Sequence, residues 1–340
     1  MDNDNNVTIL TLAKLANVSH TTISRALNDS PLVKKETKAK IQALAAELGY
    51  TPNINAKGLV EKQSFLIGVF FTVIDTGTSP SFLVDVISQT KRILPNQYSI
   101  AIDSISNYQQ TTLPNGRYDG VIVVSQSSED DEFIQKVIEQ KIPLVVLNRQ
   151  LDQTRFNVFN YVTDDYSGAK MLLNYAIRLG HQKIGLIGGE PRFQSTADRK
   201  KAFDDLVTEF NLQTSPEWIK RGDYLPKSGY VKMKELLTEP EVPTCVFVTN
   251  DDMAVGAIRA CNDLGFRVPE DISILGYDDM GYSKYLVPQL TTVRKPTLQL
   301  IENGVKALLE LLQDKTTKPR REIYMPALIV RASVKNLRDS

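Results

Sequence analysis

Polar side chains able to hydrogen-bond a duplex are concentrated in Val18-Ser-His-Thr-Thr-Ile-Ser-Arg-Ala-Leu-Asn28, close to the start of the chain. Leu12, Leu15, Ala16, Val18, Ile23 and Leu27 recur at helical spacing and are expected to close a small core of two short helices joined by a tight turn. His20, Thr21, Ser24 and Arg25 then stay free to enter a major groove. Arg25 suits bidentate contact with guanine O6 and N7 or a phosphate, and Thr22, Ser24 and Asn28 suit phosphate oxygens that fix register. Ser19 is the expected N-cap of the second helix.

Other reactive groups are sparse. The only histidines are His20 and His181, and Gly185-Leu-Ile-Gly-Gly189 lacks the spacing of a dinucleotide or phosphate loop. Asp251-Asp252 and Asp278-Asp279 admit a metal reading beside structural and ligand-binding ones. Cys245 and Cys261 lie in apolar contexts and read as buried thiols. The expectation is therefore a protein that is not an enzyme, with no catalytic residues, no metal and no cofactor.

The 340 residues, 42% of them hydrophobic, suffice for two or three domains. Lys and Arg total 40 and so do Asp and Glu, so no whole-chain charge argument for nucleic acid holds. The positive charge is local: Lys14 to Lys40 holds six basic residues against two acidic ones. Met1-Asp-Asn-Asp-Asn-Asn lacks the order of a signal peptide, and no apolar run spans a bilayer, so no membrane partner and a cytoplasmic location are expected.

These residues need a scaffold. Lys35 to Leu48 reads as a third helix stopped by Gly49, giving an all-α domain over 1–50, and 51–62 reads as a hinge helix or linker. Beyond it, apolar runs at Leu66–Phe71, Ser99–Ile102, Gly120–Val124, Leu144–Leu147, Lys183–Ile187, Cys245–Val248 and Ser273–Leu275 alternate with helical patterns. Strands separated by helices imply parallel sheets in an α/β fold, and their number calls for two lobes with a cleft at the carboxyl ends of the strands.

The stretch 18–28 is followed by Leu48-Gly-Tyr-Thr-Pro-Asn53, Tyr118-Asp-Gly-Val-Ile122, Leu179-Gly-His-Gln-Lys-Ile184, Asn250-Asp-Asp-Met-Ala254, Ile274-Leu-Gly-Tyr-Asp-Asp279 and Leu290-Thr-Thr-Val293. In this order, across nearly the whole chain, they resemble the lactose and galactose repressor family of bacterial transcription regulators. The resemblance implies a helix-turn-helix domain, a hinge helix, and an effector-binding and dimerisation domain over 63–340 built like periplasmic sugar-binding proteins. Its first lobe would take 63–163 plus 293–324, its second 164–292 plus 325–340.

It further implies a homodimeric repressor on a near-palindromic operator, under allosteric control by a small sugar or sugar derivative. A tetramer would need a C-terminal heptad helix, for which the chain leaves no room after Val330-Arg-Ala-Ser-Val334. A protein corepressor or a non-sugar ligand is the alternative control, and a sugar-binding protein without regulation a remote one.

Residue by residue, the resemblance puts His20 and Thr21 on base edges and places Asn53 and Ala56 in the hinge, with Leu59 inserted into the minor groove. Gly58 departs from good helix formers, so hinge folding is expected to be coupled to DNA. In the cleft, Arg199, Asn250 and Asp278 match the family's polar effector contacts and Tyr224 its aromatic platform. Asn148, after the strand Leu144–Leu147, and Phe82 are expected at the same mouth. The segment between Ile102 and Asp119 is shorter than the family pattern, so a helix of the first lobe is expected to be trimmed or absent.

Overall fold

Thr8 and Thr11 cap each other at the first helix: each side-chain oxygen accepts from the other's amide at 3.3 Å. In the computed structural model, which describes residues 7–27, 29–50, 63–75, 77–108, 111–313 and 318–338, helix α1 spans Ile9–Leu15, α2 His20–Leu27 and α3 Lys35–Glu47. Gly49, at φ +63°, takes the left-handed conformation that ends α3. The helices bury Leu12, Ala13, Ile23, Ala26, Ile41 and Ala45. Leu15, expected inside, is 59% exposed. The helical stripe runs through Ile9, Leu12, Ala13 and Ala16, which turns position 15 outward.

The chain divides into two compact units, Met1–Ser64 and Phe65–Ser340. The expected linker 51–62, with Asn53, Ala56, Gly58 and Leu59, lies outside the described residues, as does Asn28.

In the second unit the first strands are β1 Leu66–Phe71, β2 Ser99–Ser104, β3 Gly120–Val124, β4 Leu144–Asn148 and β5 Phe159–Thr163. They are followed by β6 Ile184–Gly188, β7 Ile219–Arg221, β8 Cys245–Val248, β9 Ser273–Leu275, β10 Thr292–Arg294, β11 Arg321–Tyr324 and β12 Ala327–Ile329. One parallel sheet has the order β11-β5-β4-β3-β1-β2 and a second the order β7-β6-β8-β9, while β10 and β12 pair antiparallel. Central strands buried on both faces, such as Gly-Val-Ile-Val-Val in β3, are what helices on both sides of a parallel sheet require.

The helices are α4 Pro80–Ile93, α5 Asp131–Glu139, α6 Asp165–Arg178, α7 Gln194–Glu209, α8 Pro226–Leu237, α9 Asp251–Asp263 and α10 Thr297–Leu312. Helices α8 and α9 approach through glycine: a Cβ on Gly256 would collide with the Pro226 carbonyl, and one on Gly229 with the Met253 backbone. Between β2 and β3, a short 3-10 turn, Ile105–Tyr108, is the only helix among the described residues. Ile105, Leu113 and Tyr118 instead pack on Phe70, Val121 and Val123, the face a crossover helix would cover.

Cys245 and Cys261 are buried and free, and His181 is buried with its ring nitrogens 2.9 Å from Thr244 Oγ1 and 3.0 Å from the Lys335 carbonyl. No helix among the described residues is long and apolar enough to cross a membrane.

Candidate functional site

In the first unit, the Ser19 hydroxyl accepts from the Thr22 amide at 3.1 Å and lies 2.9 Å from the Thr22 hydroxyl. It caps α2 as expected. Ile23 and Ala26 face the core, His20, Thr21 and Arg25 are exposed, and Thr22 and Ser24 are half-buried. Because buried and exposed residues alternate at helical spacing, one face of α2 anchors it while the other presents donors and acceptors outward.

The second unit gathers five of the six cleft candidates. Phe82, Asn148, Arg199, Tyr224 and Asp278 line one small cavity of about 30 Å³, together with Gly77, Ser79, Gln126, Ser195 and Lys295. These residues come from both sheets' surroundings: Asn148 ends β4, Phe82 is on the first turn of α4, Arg199 is on α7, and Asp278 follows β9. Three of them hold left-handed backbone, Asn148 at φ +76°, Tyr224 at φ +71° and Asp278 at φ +109°. Such conformations are disfavoured for non-glycine residues and concentrate where side chains must be aimed at a site.

Arg199 organises the site. Its Nε and Nη2 donate to Asp165 Oδ1 at 3.0 and 2.7 Å, Nη1 donates to the Thr249 carbonyl, and Nη2 stands 3.6 Å from Asp278 Oδ1. The guanidinium lies over the Tyr277 ring, 3.7 Å from its centroid. Burial pushes the Asp165 carboxyl up, but Arg199, then Lys295, outweigh it and hold the group below its usual range. Asp278 is less compensated: burial, set against Arg199, pushes its carboxyl up to about 6. Lys295 reaches in from the segment after β10, with Nζ 3.4 Å from Asn148 Oδ1 and 5.3 Å from the Phe82 ring centroid.

Asn250 does not line the cavity. Its Oδ1 accepts from the Met253 amide at 3.1 Å, capping α9, and its Nδ2 donates to the Tyr224 carbonyl at 3.1 Å. The residue therefore holds Tyr224 in place. Tyr224 is itself buried, stacked on Phe193, with its hydroxyl bonded to Thr196.

Residues 8–53 match the lacI family of bacterial regulatory proteins, and 173–334 a periplasmic binding protein-like domain. Over 334 residues, 97% of this chain and 99% of the relative, the sequence is 42% identical to a probable HTH-type transcriptional repressor, ExuR, of Bacillus subtilis (strain 168). The chain belongs to the LacI family. This LacI-family protein is also 33% identical, over 97% of its length and 99% of the relative's, to the transcriptional repressor PurR of Haemophilus influenzae (strain PittEE). Its structure resembles the Lac repressor dimer bound to operator and the anti-inducer ONPF, with a TM-score of 0.80 at 28% identity, covering 97% and 99% of the two chains. A LacI-family regulator from Enterococcus faecium with bound ribose is similar at a TM-score of 0.68 and 25% identity, over 80% and 99%. The chain is a DNA-binding transcriptional repressor of this family.

Sequence reading missed several groups at or beneath the Arg199 cavity: Lys295 and Ser79 line it and Asp165 pairs with Arg199. Lys295 and Asp165 sit in crossover segments between the sheets, where no local pattern marks them. Ser79, the N-cap of α4 before Pro80, carried a legible signal in its Ser-Pro pair.

Proposed function

We propose that this repressor binds a near-palindromic operator as a homodimer and that a sugar or sugar derivative, bound between the two lobes, lowers its operator affinity. In this reading His20 and Thr21 touch base edges, Arg25 a guanine or phosphate, and Thr22 and Ser24 phosphates. Outside the described residues, Asn28 adds a phosphate contact, and Asn53, Ala56 and Leu59 form the hinge. The lobes are 63–163 plus 293–324 and 164–292 plus 325–340, a division supported by β11 joining the sheet of β1 to β5.

The observation that carries the proposal is the convergence of Phe82, Asn148, Arg199, Tyr224 and Asp278 on one cavity. Sugar recognition needs carboxylate, amide and guanidinium groups for paired hydroxyls, and an aromatic surface for C–H faces. Control follows from differential affinity: a ligand that prefers one lobe arrangement shifts the population by that difference, typically about 1–3 kcal/mol.

The test begins with selection of binding sites from random duplex DNA by the purified protein at fixed salt. An enriched palindrome, and its release by a sugar from a screened panel, is the expected result. An enriched site that no sugar releases would overturn the effector assignment, and no enriched site would overturn operator binding in the free state.

A further inference from the structure

Helix α2 ends on a residue that suits neither its backbone nor its surroundings. Asp29 stands at φ +57°, the left-handed conformation that usually falls to glycine or asparagine. Its amide donates to the Ala26 carbonyl at 3.4 Å and the Ser30 amide to the Arg25 carbonyl at 2.9 Å, the paired bonds that close a helix C-terminus. A carboxylate there meets the negative end of the helix dipole. Asp29 is also the only acidic residue between Asp4 and Glu36, and its side chain is 81% exposed.

What offsets it comes from α3. Lys38, on the first turn, has a side chain only 17% exposed, and its Nζ donates to Asp29 Oδ1 at 2.5 Å and to the Asp29 carbonyl at 3.1 Å. One ammonium thus neutralises the carboxylate and holds the backbone beside it. An ion pair with one partner in solvent contributes little to stability, so stability is a weak reason for it. DNA supplies a stronger one. A helix of eight residues is about 12 Å long, close to the width of the major groove, so α2 seated there brings its end, and Asp29 with it, to a phosphate strand.

We infer that Lys38 is a positioning residue for DNA binding: it masks Asp29 from the phosphate backbone and keeps that carboxylate from pairing with the exposed Arg25, four positions earlier. The inference rests on reading α2 as the groove helix and adds to that reading a residue that acts through Asp29. Without Lys38, the end of α2 would present an unmatched negative charge to a negative strand, and the nearest exposed cation on α2 would be drawn away from DNA.

The experiment is a double-mutant cycle on the full-length protein, read as the dissociation constant for a fluorescent duplex of mixed sequence at one low salt concentration, where phosphate contacts dominate. Lys38→Met should weaken binding about tenfold, Asp29→Asn should change it by no more than about twofold, and the double variant should return to within about threefold of wild type. Lys38→Arg, which keeps the charge, should bind like wild type. Thermal unfolding shows which variants are folded, and if Lys38→Met is not, Lys38→Gln takes its place in the cycle. A merely structural role for Lys38, or a phosphate contact of its own, leaves the double variant as weak as Lys38→Met. Independent charge effects instead make Asp29→Asn strengthen binding equally in both backgrounds. Either result overturns the inference and leaves α2 as the groove helix, whereas a wild type that binds no duplex overturns that reading too.

Discussion

Arg199 and Asp165 form an ion pair at 2.7 Å with each side chain only 3% exposed. The pair joins α7 to the first residue of α6, under the cavity that Arg199 lines. Breaking it from one side strands a buried carboxylate, which typically costs about 3–5 kcal/mol. Arg199→Ala should therefore lower stability by that order in urea unfolding as well as weaken effector binding. Asp278→Asn, 3.6 Å from Arg199 and more exposed, should leave stability nearly unchanged and weaken effector binding alone. Equal stability losses in the two variants would show that Arg199 is not anchored through Asp165.

Asp251 leads to a prediction about pH. It is fully buried at the start of α9 and accepts from the Met280 amide, the Ser283 hydroxyl and the Thr292 hydroxyl at 2.9, 2.6 and 2.7 Å. Burial, then the charge of Asp278, outweighs those bonds and pushes its carboxyl from 3.8 up to about 7. A group raised on folding binds more protons in the folded state, so stability falls as pH rises from about 4 to about 7. Asp198 and Asp278 act in the same direction up to about 6. His181 opposes them, because burial lowers its value and disfavours the fold once pH drops below its ordinary 6.5. Comparing wild type with Asp251→Asn cancels Asp198 and His181 and leaves Asp251 together with its coupling to Asp278. The variant should gain on wild type by on the order of 2–4 kcal/mol between pH 4 and pH 8. A constant difference across that range would mean that Asp251 does not titrate there.

How much of this was legible follows element by element. The exposed face of α2 was, because helical spacing separates Ile23 and Ala26 from His20, Thr21 and Arg25 without any tertiary information. The central strands were legible too, since strands buried on both faces are continuous apolar runs. Strand β5, Phe-Asn-Tyr-Val-Thr, was not: Asn160 is buried because it accepts from the Leu151 amide and donates to the Val146 and Arg149 carbonyls. Nor were β7, β10 and β12, each three residues long. In the cleft, motif positions pointed to Arg199, Asp278 and Asn250 alike; the first two line the cavity, while Asn250 accepts from the Met253 amide and donates to the Tyr224 carbonyl. That distinction depends on where the Tyr224 carbonyl lies, which no spacing reveals.

Asp252 provides a third prediction. Its buried carboxylate accepts from Ser79, Ser81 and Tyr282, so α9 of one sheet's layer is tied to the start of α4 in the other. Ser79 also lines the Arg199 cavity and caps α4 through the Phe82 amide at 3.3 Å. Asp252→Ala leaves three hydroxyls without their acceptor, at about 1–3 kcal/mol for each that water does not reach. Amide exchange at residues 79–83 should speed up and effector affinity should fall, whereas Asp252→Asn, which keeps an acceptor, should recover most of both. Unchanged exchange in Asp252→Ala would show that the carboxylate does not hold the lobes together.

The last prediction separates base reading from phosphate positioning on α2. His20 and Thr21 stand exposed on its first turn and Arg25 on its last, so a helix entering the groove by its N-terminus brings the first two nearest the base edges. Removing a base reader changes which sequence wins; removing a phosphate contact weakens every sequence alike and lowers the salt dependence. In site selection from random duplexes, His20→Ala should shift the preferred half-site at one or two positions. Arg25→Ala should lose about 1–3 kcal/mol, uniformly and with a shallower salt slope if it holds a phosphate, or with relaxed preference at one guanine if it reads a base. Leu15→Ala, a control on the same domain whose side chain is outside the core, should do neither. An unaltered half-site after His20→Ala would remove His20 from the base-reading set and leave Thr21 as the first-turn reader.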